Sequence, residues 1–169
     1  MEDREQTYLR LIRENRGQLR KICRVYGEDA ADREDLRQEI LLQLWRSLPS
    51  FRGDADAGTW LYRVALNTAL SRRRDRETRE EARLHREDDA IPDPPSSPDR
   101  EHRERERLER LYAAIDRLED PDRALILMYL DEKSYSEMAG VLGITENYVG
   151  VRLHRIRKRL STWLSEEET

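Results

Sequence analysis

The sequence predicts an all-α protein of two small helical bundles, joined by a flexible, acidic, proline-containing linker, with a helix-turn-helix in the second bundle. Three observations predict it. Apolar residues recur three and four apart through both ends of the chain, and no alternating β-branched run or hairpin dipeptide interrupts them. Four of the six prolines, Pro92, Pro94, Pro95 and Pro98, fall in one stretch poor in large hydrophobes. Charged residues make up 40% of the 169 and hydrophobic ones 37%, too little apolar material for one large core.

The opening segment, from about Asp3 to Tyr26, carries Leu9, Ile12, Leu19, Ile22, Cys23 and Tyr26 at helical intervals, with a kink expected at Gly17. Gly27 ends it, and the acidic turn EDAAD leads into a second helix that Pro49 terminates. On that helix Leu36, Ile40, Leu41, Leu44 and Leu48 form a core face. Asp35, Gln38, Glu39 and Arg46 lie opposite, with Leu42 among them and Trp45 at the edge. Such a leucine is either an inconsequential exposed residue or the centre of an acidic patch for a basic helical partner.

After a polar loop, a third helix buries Trp60, Leu61, Val64, Ala65 and Thr68, with Asp54, Asp56 or Thr59 as its cap. Arg63, Asn67, Ser71 and Arg74 form a polar stripe beside that core. Arg72, Arg73, Arg74, Arg76 and Arg79 then face only Asp75 and Glu77. That excess of cations suits phosphate, although a solvated Arg run complementing the helix dipole has the same look.

The first domain is expected over 1–80, the linker over 81–104 and the second domain over 105–165. From Glu87 to Arg107 there are eight acids against four bases, with Leu84 and Ile91 almost alone as hydrophobes in the linker. Ser97-Pro98 is expected to open the next helix, with Leu108, Leu111, Tyr112, Ile115 and Leu118 on its apolar side. Asp120-Pro121 starts ALILMYL, apolar nearly all round and so central to this core. Ser134 to Glu137 is a capping box, Gly143 permits a left-handed turn, and Thr145 caps the last helix. Val149, Leu153, Ile156 and Leu160 point inward there, leaving Asn147, Tyr148, Val151, His154, Arg155 and Lys158 outside. A basic recognition helix is the reading.

Function classes narrow accordingly. Net charge is −4, from 32 basic and 36 acidic residues, but the signs are segregated and binding follows the local field. A single cysteine, Cys23, excludes an internal disulfide and is expected to pack as a small hydrophobe. His85, His102 and His154 are scattered, so no metal site and no cofactor are expected. There is no nucleophile with a base and no glycine-rich phosphate cradle, which leaves enzyme chemistry unsupported. The charged start MEDREQTYLR lacks a signal-peptide pattern, and no run approaches the roughly 20 apolar residues of a membrane helix.

DLRQEILLQLWRSL, then FRGD, then TWLYRVALNTA, then the Arg run, in that order, resemble region 2 of bacterial RNA polymerase sigma factors of the extracytoplasmic-function (ECF) group. SYSEMAGVLGITENYVGVRLHRIRKRL is similar to their region 4. The resemblance implies that Asp35, Gln38, Glu39, Leu42 and Trp45 meet the β′ clamp helices of core polymerase. It puts Phe51, Arg52, Arg63, Asn67, Arg72, Arg73 and Arg74 at the melted −10 element, where a flipped base is captured. It puts Asn147, Gly150, Val151, His154 and Arg155 at the −35 element with Arg152 and Lys158 on phosphates, and docks region 4 on the β flap. Gly150 departs from the family, which often carries a longer polar side chain there, and Val151 offers only apolar contact.

The expected function is therefore a sigma factor that brings core polymerase to promoters and melts the −10 element. It is expected to be cytoplasmic, bacterial, monomeric when free and not inserted in a membrane. An anti-sigma factor is a further partner that the family allows. The alternatives are a stand-alone helix-turn-helix regulator and a sigma-like adaptor without initiation activity.

Overall fold

A computed structural model describes residues 4–53, 56–81 and 99–166. Among these the chain forms eight α-helices and one 3-10 turn, with no strand. The first bundle comprises α1 (Arg4–Glu14), α2 (Arg16–Tyr26), α3 (Ala30–Ser47) and α4 (Ala57–Glu81), with the 3-10 turn Leu48–Ser50 after α3. The second comprises α5 (Asp99–Asp116), α6 (Asp120–Leu130), α7 (Tyr135–Leu142) and α8 (Glu146–Glu166).

The opening segment is two helices, and the break falls at Asn15 rather than Gly17, which lies within α2. The Asn15 amide donates to the Leu11 carbonyl at 2.8 Å, the side-chain competition for backbone groups that suits Asn to a helix junction. Asp29 caps α3 by accepting from the Asp32 amide at 2.7 Å. Of the candidate caps for α4, Asp56 accepts from the Thr59 amide at 3.1 Å, while Asp54 lies outside the described residues. Most of the 81–104 segment also lies outside them, including Leu84, His85, Ile91 and the Ser97-Pro98 start, and residues 99–104 are already helix within α5.

The helix-turn-helix forms as its residues dictate. Ser134 Oγ accepts from the Glu137 amide at 3.1 Å, and Glu137 Oε2 accepts from the Ser134 amide at 2.7 Å, closing both halves of the capping box. Gly143 ends α7 at φ 68°, in the left-handed region that favours glycine. Thr145 Oγ1 then accepts from the Tyr148 amide at 3.2 Å and starts α8, whose Val149, Leu153, Ile156 and Leu160 are buried.

The interior departs from the expectation of two separate cores. Buried residues of both bundles make one contiguous cluster, running from Leu19 through Leu66 and Leu127 to Leu160. Helix α4 is the cause. Leu61, Ala65 and Thr68 are buried as the periodicity predicts, but so are Tyr62, Leu66 and Ala69 on a further face. That extra face lies between the two bundles. The Tyr62 hydroxyl donates to the Leu127 carbonyl of α6 at 3.3 Å and to the Asp131 carboxylate.

Candidate protein and nucleic-acid interfaces

The exposed side of α3 is the first candidate face. Leu42 is 46% exposed, although it lies one residue from the half-buried Leu41 and two from the buried Ile40 and Leu44. Asp35 and Gln38 are exposed beside it, and the Gln38 amide donates to Glu34 at 3.3 Å. Arg37 and then Gln38 hold the Glu34 carboxyl down at about 2. Glu39 is shared, since Arg72 Nη1 donates to its Oε2 at 3.0 Å. Trp45 is framed by α1: the Arg4 guanidinium sits 4.2 Å over its ring and donates to its carbonyl at 2.7 Å, and the Tyr8 ring meets it edge-on at 5.1 Å. Arg4 and Tyr8 were not legible as part of this face, because nothing in their sequence spacing refers to α3.

The loop after α3 and the outer flank of α4 form the second face. Phe51 is half-buried, its ring 4.9 Å from that of Trp60. Arg52 is exposed, and Gly53 turns the chain at φ 78°. Arg63, Asn67, Ser71 and Arg74 are all exposed, as the stripe requires. Asn67 and Ser71 help line a polar groove of about 290 Å³ with Glu39, Gln43, Ser47 and Thr68. The Arg cluster differs from the expected open patch. Arg72 and Arg76 converge on Asp32 at 2.7 and 2.5 Å, and Arg73 reaches Glu77 at 3.2 Å and Asp120 at 2.9 Å. Burial tends to raise the Asp32 carboxyl, but the Glu28 amide and these two guanidinium groups outweigh it and hold the pKa down. Arg74 points to solvent, its Nε reaching only the Leu70 carbonyl of its own helix, at 3.4 Å.

The third face is on α8. Asn147, Gly150, Val151, His154 and Arg155 line one open recess with Tyr135 and Glu146. Lys158 is exposed further along the helix. Tyr135 was missed from the sequence. A Cβ at Gly150 would lie 3.3 Å from the Tyr135 ring, so the missing side chain is where the tyrosine of α7 rests. Only the tertiary crossing brings these two together. Arg152 stands differently from its expected phosphate role: its Nε donates to the buried Asp122 at 2.5 Å and its Nη1 to the Tyr148 hydroxyl at 2.7 Å. The Asp122 and Tyr148 oxygens hold its pKa up. A carboxylate inside the core demands a cation, and Arg152 lies nearest to it.

Among the described residues no group of side chains is arranged to hold a metal ion, and no helix is long and apolar enough to cross a membrane. The three faces are thus the exposed side of α3, a polar stripe beside the Phe51 loop, and the exposed basic side of α8.

Residues 11–79 match the family model for sigma-70 region 2, and residues 108–160 match that for sigma-70 region 4. Over 144 residues the chain is 33% identical to the RNA polymerase sigma-H factor of Pseudomonas aeruginosa, covering 80% of this chain and 74% of that one. It is 31% identical over 171 residues to the ECF RNA polymerase sigma factor SigM of Mycobacterium tuberculosis, covering 91% and 75%. Among solved structures, the sigma factor RpoE in complex with the anti-sigma factor NepR from Bartonella quintana superposes with a TM-score of 0.69 at 25% identity, over 95% of this chain and 96% of that one.

The chain belongs to the RNA polymerase sigma factors, in their ECF group. It is a promoter-specific initiation factor, whose partners are core RNA polymerase and promoter DNA and whose family role is not enzymatic.

Proposed function

We propose a division of labour among the three faces. Asp35, Gln38, Glu39, Leu42 and Trp45 dock on the β′ clamp helices, with Arg4 and Tyr8 fixing the Trp45 ring. Phe51, Arg52, Arg63, Asn67 and Arg74 receive the melted −10 strand, and Arg72 and Arg73 shape that surface from within their ion pairs. Asn147, Gly150, Val151, His154 and Arg155 read the −35 element with Tyr135 beside them, Lys158 takes a phosphate, and Arg152 holds α8 in place. The domains run over 1–80 and 105–165, and region 4 also meets the β flap. The chain works in the bacterial cytoplasm and performs no covalent chemistry. Its solved relative RpoE was crystallised with the anti-sigma factor NepR, and a partner of that class suits this chain as well.

The observation that carries the reading is Leu42: a leucine 46% exposed on a well-packed helix, on the side that also carries Asp35, Gln38, Glu39 and Arg46. An apolar centre with a polar rim is the anatomy of a protein contact. Reversing Gln38 and Glu39 to Lys is expected to abolish copurification with core polymerase while leaving helix content unchanged. Retained binding in the double variant would remove the face from the proposal.

A further inference from the structure

The recess on α8 carries apolar surface that hydrogen bonding to base edges does not use. Val151 is 45% exposed and Tyr135 43% exposed, and both line it. Gly150 adjoins the two. Val151 follows it in the helix, and a Cβ on it would lie 3.3 Å from Tyr135 Cε2 and 3.8 Å from Cδ2. The glycine therefore lets the ring edge rest against α8, where a longer side chain would come between. Tyr135 is the first residue of α7, and the reciprocal bonds of Ser134 and Glu137 fix the chain at that point. The ring is thus held in the recess by a cap and a helix crossing while its surface stays open.

Asn147, His154 and Arg155 of the same recess can bond to base edges. A valine and the edge of a ring have no such bonds to offer. What they can distinguish in the major groove is the substituent at C5 of a pyrimidine. Thymine carries a methyl group there and cytosine a hydrogen, while 5-methylcytosine carries the same methyl as thymine. Burying one methyl against this pair is worth about fourfold in binding.

We propose that Tyr135 and Val151 together form a receptor for the C5 methyl group of a pyrimidine, which makes Tyr135 of α7 a specificity-determining residue of the −35 contact. This rests on the proposed placement of α8 on the −35 element. The receptor takes thymine in unmodified DNA and 5-methylcytosine in methylated DNA. Methylation of a cytosine at that position therefore raises promoter affinity. The polar residues of the recess select bases by their hydrogen-bonding edges, and the apolar pair adds a choice that those edges do not contain.

The test uses holoenzyme assembled from the full chain and core polymerase, with a duplex library randomised across the −35 and −10 elements. The enriched −35 sequence is expected to hold a thymine at which deoxyuridine, lacking only the C5 methyl, lowers affinity about fourfold. Val151→Ala and Tyr135→Ala are each expected to shrink that ratio, and Tyr135→Phe, which keeps the ring, to preserve it. Both side chains are exposed, so these variants keep the fold. Lys158→Ala is expected to weaken both duplexes equally and leave the ratio unchanged. Cytosine and 5-methylcytosine at the same position are expected to differ by a similar factor in the wild type, and to bind alike in Val151→Ala. An enriched element in which no deoxyuridine costs affinity, or a deoxyuridine penalty that survives both alanine variants, would overturn the receptor. Equal binding of the two cytosine duplexes by the wild type would overturn the response to methylation. A library with no enrichment at −35 would sink the placement of α8, and the receptor with it.

Discussion

At the scale of single residues, two arginines on α8 one turn apart do different work. Arg152 neutralises Asp122, which is only 4% exposed, while Arg155 faces outward from the recess. Arg152→Ala leaves a carboxylate inside the core with only Arg159, 3.7 Å away, in reach. It should therefore destabilise the fold by about 3 kcal/mol in a denaturant titration. Arg155→Ala should leave stability unchanged and cost about 1–3 kcal/mol of promoter affinity, unequally between −35 sequences. An equal loss on all sequences would demote Arg155 to a phosphate contact. Sequence reasoning put both residues on DNA, because a helical wheel shows which side a residue takes and not what lies buried beneath it.

Asp32 makes the same point in the first bundle. Its carboxylate receives Arg72, Arg76 and the Glu28 amide, joining the start of α3 to the end of α4. Asp32→Ala should cost about 2 kcal/mol, the worth of charge-assisted hydrogen bonds. That corresponds to a melting temperature lower by about 4–8 °C. Because its pKa is lowered in the folded chain, its contribution is fully present above the ordinary value of 3.8 and is lost as pH falls through the depressed one. The wild-type and Ala melting curves should thus converge only in acid. A constant gap down to low pH would count against the linkage.

At the scale of elements, what was legible is what local rules govern. The apolar periods of α3, α6 and α8, the capping box of α7 and the left-handed turn at Gly143 all follow from spacing and residue type. Gly143→Ala should cost about 1–2 kcal/mol by forcing a Cβ into that turn, with Gly143→Asn milder, as thermal melts would report. Equal melting for all three chains would mean the turn is not under that constraint. What was not legible is whatever a second element imposes. Tyr62, Leu66 and Ala69 are buried on a face of α4 that a single amphipathic stripe does not predict. Most of the Arg cluster looked solvent-facing because Asp32, Glu28 and Asp120 come from elsewhere in the chain. The resemblance supplied the order of the three faces, which periodicity alone did not.

At the scale of the whole molecule, a net charge of −4 on a DNA-binding chain becomes reasonable. In the proposed division of labour the acidic side of α3 serves a protein partner and the basic side of α8 serves DNA, so each face carries the sign its partner needs. The bundles meet through one contiguous buried core, with Lys21–Asp131, Arg73–Asp120 and Lys133–Asp56 as ion pairs across the seam.

The most direct test is the distance between the bundles, measured by pulsed electron paramagnetic resonance with spin labels at Thr78→Cys of α4 and Ser161→Cys of α8 in a Cys23→Ser chain. Both label sites are exposed, so the labels report position without disturbing the core. Free in solution, the labelled chain should give one short, narrow distance distribution. A broad or long distribution would contradict the account.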